Sequence, residues 1–159
     1  MRSGCRSVSV GVISDTHGLL RPEALSALAG SAHILHAGDI GDPAVLEALS
    51  RIAPVTAVRG NNDNGPWASK LRETELVQIA DTRIYVIHDL AQLDIDPAAQ
   101  SIGVVVAGHS HRPTQRMEDG VLYLNPGSAG PRRFKLPVTL ARLALPARQV
   151  SVHDLMDPK

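Results

Sequence analysis

The sequence predicts an α/β protein, a layered α/β/β/α sandwich of two mixed sheets flanked by helices, formed as one domain over residues 1–159. Three observations lead there. The first third of the chain alternates short β-branched segments with helical ones in the order βαβαβ. The remainder reads mostly as strands broken by turn residues at hairpin spacing. Five apolar segments end in polar donor groups, as expected where an open α/β sheet binds its ligand beyond the carboxyl ends of its strands.

Taken in order, residues 8–13 form a β-branched run suited to a strand covered on both faces. Pro22 in a first turn, Glu23 beside it and Gly30 at the end mark a helix over 21–30. Residues 32–37 make a second strand. Asp42 is placed to cap a helix that opens at Pro43 and runs to about Ser50, with Val45, Leu46 and Leu49 on one face. A third strand over 54–58 delivers Gly60 and Asn61. Asn, Asp, Gly, Pro and Ser cluster over 62–70, which reads as a loop at the mouth of a site. Residues 75–80 and 83–87 form a hairpin around Asp81-Thr82, a short helix is expected near Asp96-Pro97, and 102–107 is a buried strand. Asp119-Gly120 turns another hairpin over 117–124, and 138–145 with 149–153 form the last.

Composition narrows the function classes. A chain of 159 residues can bury a core of its own. Lys and Arg number 16 and so do Asp and Glu, so no net field favours nucleic acid duplexes, anionic membranes or basic partners. The one cysteine, Cys5, excludes an internal disulfide framework and thiolate-rich metal sites. No apolar run approaches the roughly 18 residues of a membrane span, and the start does not read as a signal peptide. These features lead us to expect a soluble, cytoplasmic protein.

The informative stretches are Ser14-Asp15-Thr16-His17, Ala37-Gly38-Asp39, Gly60-Asn61-Asn62-Asp63, Ile87-His88-Asp89 and Gly108-His109-Ser110-His111. A carboxylate and an imidazole two positions apart, where a strand gives way to a loop, can turn toward one point. Carboxylate, imidazole and amide donors without thiolate suit Mn, Fe, Zn, Ni or Co. Two divalent ions roughly 3.5–4 Å apart can clamp the attacking and departing oxygens of a phosphoryl displacement. The glycines before Asp39, Asn61 and His109 permit sharp turns and close approach. Each donor taken singly has an ordinary structural role; their joint order points to metal.

This set resembles the calcineurin-like metallophosphoesterase superfamily over about residues 8–128, and the short chain with Asn125-Pro126-Gly127-Ser128 is similar to its small YfcE-type phosphodiesterases, which share their fold with Vps29. The resemblance implies a hydrolase with two divalent ions, Mn first, with Ni, Zn, Fe, Co or Mg as alternatives. One ion would be held by Asp15, His17, Asp39 and His111, the other by Asp39, Asn61, His88 and His109. A hydroxide bridging the ions would attack a small phosphodiester, with Asp39, Asn61 and Asp63 as the catalytic set. The alternatives are a Vps29-like non-catalytic interaction scaffold, which tends to lose ligand histidines retained here, and a phosphomonoesterase.

Two positions depart from the family pattern. Asn62 stands where a histidine usually protonates the leaving oxygen, a function whose loss removes a factor of about 10²–10⁴ for poor leaving groups. Asp89 stands where glycine commonly follows the ligand histidine; its carboxylate either contacts a ligand or faces solvent. Asn62, Trp67, Arg132 and Arg133 are candidate substrate contacts. Trp67 either stacks on an aryl or base group or anchors its loop, and the paired arginines suit phosphate but equally an exposed loop. Asn125 and Ser128 are placed to support the donors. His33 and His36, inside a strand, are read as structural, and His153 as surface. The apolar carboxy-terminal hairpin offers an edge for a homo-oligomer.

Overall fold

A computed structural model describes residues 7–61, 63–131 and 136–155. Ten strands form two five-stranded sheets. They are β1 (Val8–Ile13), β2 (His33–His36), β3 (Val55–Ala57), β4 (Thr74–Ile79), β5 (Thr82–Ile87), β6 (Val104–Val106), β7 (Pro113–Glu118), β8 (Val121–Pro126), β9 (Thr139–Leu145) and β10 (Gln149–Asp154). The first sheet runs β10-β9-β1-β2-β3, with β1, β2 and β3 parallel and β9 and β10 antiparallel. The second runs β4-β5-β6-β8-β7, parallel at its centre and antiparallel at both edges. Both sheets are mixed, as the sequence predicts.

The sheets face each other across a core of Val10, Val12, Leu35, Leu143, Val86, Val104, Val106 and Leu124. The outer face of the first sheet is covered by α1 (Pro22–Leu28) and α2 (Pro43–Ser50), which bury Leu28, Val45 and Leu49 against Ile13, Ile34 and Leu140. Both helices begin with Pro in the first turn, where the missing N–H costs nothing. Asp42 caps α2 by accepting from the Ala44 amide at 2.9 Å. The end of α1 is capped from afar: the Arg142 guanidinium, reaching across from β9, donates to the carbonyls of Ala27 and Ala29.

Over the second sheet the cover is thinner. Ile87, Ile102, Val105 and Val121 pack with Leu90 and Ile95 from the β5–β6 connection, which contains one 3-10 turn at Leu90–Gln92. The helix expected near Asp96-Pro97 is instead a single turn. Its amides return to Asp96 and Pro97, and Ser101, with φ of 60°, ends it after one loop of chain. The strand before Asp119-Gly120 begins at Pro113, four residues earlier than its apolar pattern suggests, because its residues are exposed on the sheet edge. No helix among the described residues is long and apolar enough to cross a membrane.

His33 and His36 are structural. His33 bonds Thr56 Oγ1 across to β3 at 2.8 Å. His36 is fully buried; its Nδ1 accepts from the Gly38 amide, so Nε2 carries the proton and donates to Thr16 Oγ1, whose own hydroxyl donates to the Ile40 carbonyl. Burial pushes its pKa down to about 3, against the pull of Asp63 and Asp39. Below about pH 6.5 the unfolded chain takes up a proton that folded His36 refuses, so the stability present above that pH is lost as pH falls toward 3, on the order of 1 kcal/mol per unit. We therefore expect the urea midpoint of wild type to fall between pH 7.5 and 5. His36→Gln should start lower at pH 7.5 and lose less on acidification. An equal loss in both proteins would show that His36 is not the group responsible.

Candidate metal centre

The carboxyl ends of β1, β2 and β3 meet those of β5 and β6 at one rim of the two sheets, and the loops that leave them are laced together by backbone bonds. The Asp15 amide donates to the Gly38 carbonyl, the His17 amide to that of Asp39, and the Gly108 amide to that of His88. Asp15, His17, Asp39, His109 and His111 all hold φ between 48° and 73°, the left-handed region that side chains rarely adopt. Such a bend at both members of a residue pair turns i and i+2 to one side, which is how Asp15 and His17, and again His109 and His111, point at a common centre. The glycines allow this crowding. A Cβ on Gly108 would overlap Ser14 Oγ and lie 2.8 Å from Asp15 Oδ2; one on Gly60 would overlap Asp39.

Asp15 is the hub and has no exposed surface. Its Oδ2 accepts from the Ser14 hydroxyl at 2.7 Å and from the His109 amide at 3.0 Å. Its Oδ1 accepts no hydrogen bond among the described residues and faces His111 Nε2 at 3.6 Å and His17 Nε2 at 3.9 Å. Burial pushes the Asp15 carboxyl up, against these hydrogen bonds and the attraction of His88. Asp39 Oδ2 lies 3.3 Å from His88 Nε2 and 3.8 Å from His17 Nε2, so one oxygen faces a histidine from each side. His88 donates through Nδ1 to the Ala37 carbonyl at 2.7 Å. Burial works against its charged form, yet Asp39, the Ala37 carbonyl and Asp15 together outweigh it and raise its pKa. His109 Nδ1 lies 3.3 Å from His88 Nε2.

Two groups of donors could hold a cation, with all ligand atoms within 4.8 Å of one another: Asp15 with His17 and His111, and Asp15 with Asp39 and His88. The donor set fits a metal, because a buried carboxylate oxygen facing two imidazoles without accepting from either is what a cation between them would satisfy. These groups bring together five of the expected ligands, Asp15, His17, Asp39, His88 and His111; His109 lies beside His88, and Asn61 is exposed on the wall of the neighbouring cavity.

Asp63, expected in the catalytic set, is engaged by the backbone. Both its oxygens are taken by backbone, Oδ1 by the Gly41 amide and Oδ2 by the Gly60 amide, so it clamps the loops after β2 and β3. Asn125 and Ser128 bond the loops rather than an imidazole: Asn125 donates to the Gly108 carbonyl and Ser110 Oγ, and Ser128 to the Asp15 carbonyl. Trp67 packs into the helix-side core with Leu46 and Leu71, which makes it the anchor of its loop. Asn62, Arg132 and Arg133 lie outside the described residues. Beside His88 opens a cavity of about 970 Å³ whose wall includes Arg59, Asn61, Arg72, Tyr85 and Asp89. Of these wall residues, Arg59, Arg72 and Tyr85 lie outside the motifs, and only Arg59 carries a signal in the sequence, immediately preceding Gly60-Asn61.

The calcineurin-like phosphoesterase superfamily domain matches residues 8–147. A probable metallophosphoesterase of Methanothermobacter thermautotrophicus is 36% identical, the match covering 75% of this chain and 76% of that protein. A phosphodiesterase of Methanocaldococcus jannaschii is 27% identical, with 76% and 83% covered. Among solved structures, vacuolar protein sorting 29 of Cryptosporidium parvum is similar with a TM-score of 0.80 at 23% identity, covering 96% of this chain and 94% of that one, a likeness of fold.

The crowding at Gly108 gives a direct test. Gly108→Ala should lower the stability by the cost of overpacking, about 1–3 kcal/mol, and abolish stabilisation by added Mn²⁺, since Ser14 and Asp15 must move. Gly120→Ala, in an open turn, should keep the Mn²⁺ effect. Equal Mn²⁺ responses in the two variants would refute the link between this contact and the donor cluster.

Proposed function

The chain belongs to the calcineurin-like phosphoesterase superfamily, and from that premise we propose that it is a hydrolase of small phosphodiesters that works with two divalent metal ions, Mn²⁺ first among them. The observation that carries the reading is the convergence of Asp15, His17, Asp39, His88 and His111 at one rim, with a buried carboxylate oxygen left over for a cation. Asp15, His17, Asp39 and His111 would hold one ion, and Asp39, Asn61, His88 and His109 the other, with Asp39 common to both. When bound, such ions polarise phosphoryl oxygens and bring the pKa of water toward neutrality.

The protein's own groups prepare that chemistry. The Ala37 carbonyl holds the proton of His88 on Nδ1 and turns Nε2 inward. Asp63 fixes the backbone that carries Asn61 and, through Gly41, the loop behind Asp39. The cavity beside His88 offers room for the ester's alcohol arm, with Tyr85 and Ile87 as its apolar wall. In the sequence, Asn62 stands where the family pattern has the histidine that protonates the leaving oxygen, and an amide cannot supply that proton, which favours diesters whose leaving group departs as a stable anion. The phosphodiesterase name of the Methanocaldococcus relative supports the same substrate class. A chain with one cysteine, which needs no internal disulfide, suits a reducing cytoplasm.

The test is the initial rate of bis-p-nitrophenyl phosphate hydrolysis by metal-stripped protein with and without Mn²⁺. We expect a large Mn²⁺-dependent rate, abolished in Asp39→Asn, which keeps the volume and removes the shared charge. No rate with Mn²⁺, Ni²⁺ or Zn²⁺ in a folded protein would favour a non-catalytic scaffold of the vacuolar protein sorting 29 kind. Full rate in Asp39→Asn would place the chemistry elsewhere.

A further inference from the structure

We propose that Asp89 is a positioning residue that orients the His109 imidazole for metal binding, an inference resting on the metal-dependent reading above. His109 poses a problem that the other donors do not. Its side chain is 46% exposed, so packing alone does not hold the ring. Its two nitrogens face different surroundings. Nδ1 points into the cluster, 3.3 Å from His88 Nε2, while Nε2 points outward, 4.0 Å from Asp89 Oδ2. A neutral imidazole that offers the Nδ1 lone pair to a cation must carry its proton on Nε2. A carboxylate facing Nε2 favours that tautomer and that ring orientation.

Asp89 is itself held in place. Its Oδ1 accepts from the Ala91 amide at 3.0 Å, capping the 3-10 turn at Leu90–Gln92, and its side chain is only 24% exposed. The other oxygen is thereby left directed at the ring. At 4.0 Å the two are not yet hydrogen-bonded, and a rotation of the exposed imidazole would bring Nε2 within reach of Oδ2. His88 meets the same requirement with the nitrogens reversed: the Ala37 carbonyl takes the proton at Nδ1 and Nε2 faces inward. The adjacent pair thus uses a backbone carbonyl for one ring and the carboxylate of the very next residue, Asp89, for the other.

The experiment is Zn²⁺ uptake by chelator-stripped protein, measured by competition with a chromophoric chelator. Asp89→Ala should weaken one of two binding steps about 10–100-fold and leave the other unchanged. Asp89→Asn, which keeps the cap oxygen but turns an NH2 donor toward His109 Nε2, should weaken the same step, and because it retains the cap it guards against a folding artefact. In a His109→Ala background, Asp89→Ala should have no further effect, because Asp89 acts through that ring. Unaltered Zn²⁺ uptake in Asp89→Ala, or the same loss with His109 already gone, would overturn the proposal while leaving the metal reading intact. A wild-type protein that takes up no Zn²⁺ would overturn both.

Discussion

A carboxylate with no exposed surface is the constraint on which the rest of this rim depends. Withdrawing Asp15 from water costs several kcal/mol unless its oxygens are satisfied, and an isolated buried charge would simply be neutralised. The chain satisfies it from both sheets: Ser14, its own neighbour, and the amide of His109, which follows β6, share Oδ2. Around that pair the third rim loop closes as well, since Ala129 donates to the Ser14 carbonyl and Ser128 to that of Asp15. Loops from distant parts of the sequence are thus pinned at one residue, and the histidines they carry are brought within reach of the oxygen that remains.

The second cost at this rim is backbone strain. Five candidate donors stand at positive φ, a conformation disfavoured by about 1–2 kcal/mol each for residues with a Cβ. Elsewhere such angles fall in turns, as at Ala80-Asp81 and Asp119, where a tight hairpin requires them. At the rim there is no hairpin to explain them. The interlocked amides after β1, β2 and β6 impose the bends, and the surrounding apolar layers, among them Val10, Val12, Leu35 and Val106, supply the stability that tolerates them.

Much of this was legible because it is local. Donors at strand ends follow from β-branched runs that stop at Gly, Asp or His, the α2 cap from Asp42-Pro43, and the β7–β8 turn from Asp119-Gly120. What escaped was tertiary. Nothing beside Asp63 in sequence announces that Gly41 would take its second oxygen, so a carboxylate next to the donors read as a catalytic group. The β7 edge strand carries exposed polar residues and so lacks the alternation that betrays a half-buried strand. The sequence leaves Trp67 open because a loop aromatic packs inward or outward according to what lies beneath it, here the helix-side core. A helix at Asp96-Pro97 had a good start signal but no room to continue before β6.

The pairing of β1 with β9 carries one more consequence, for the order in which the protein comes together on the ribosome. β1 lies at the centre of the first sheet, yet one of its two neighbours, β9, is made long after it, with Arg142 bonded to Ser9 across 133 positions. A nascent chain can zip β1, β2 and β3 as they emerge, but the antiparallel side of β1 stays open until β9 has cleared the exit tunnel. During that interval an apolar strand edge is exposed, a hazard for pairing with other chains. The same late segment delivers the guanidinium that caps α1. The first sheet therefore stays incomplete, with α1 uncapped by Arg142, until β9 has been made.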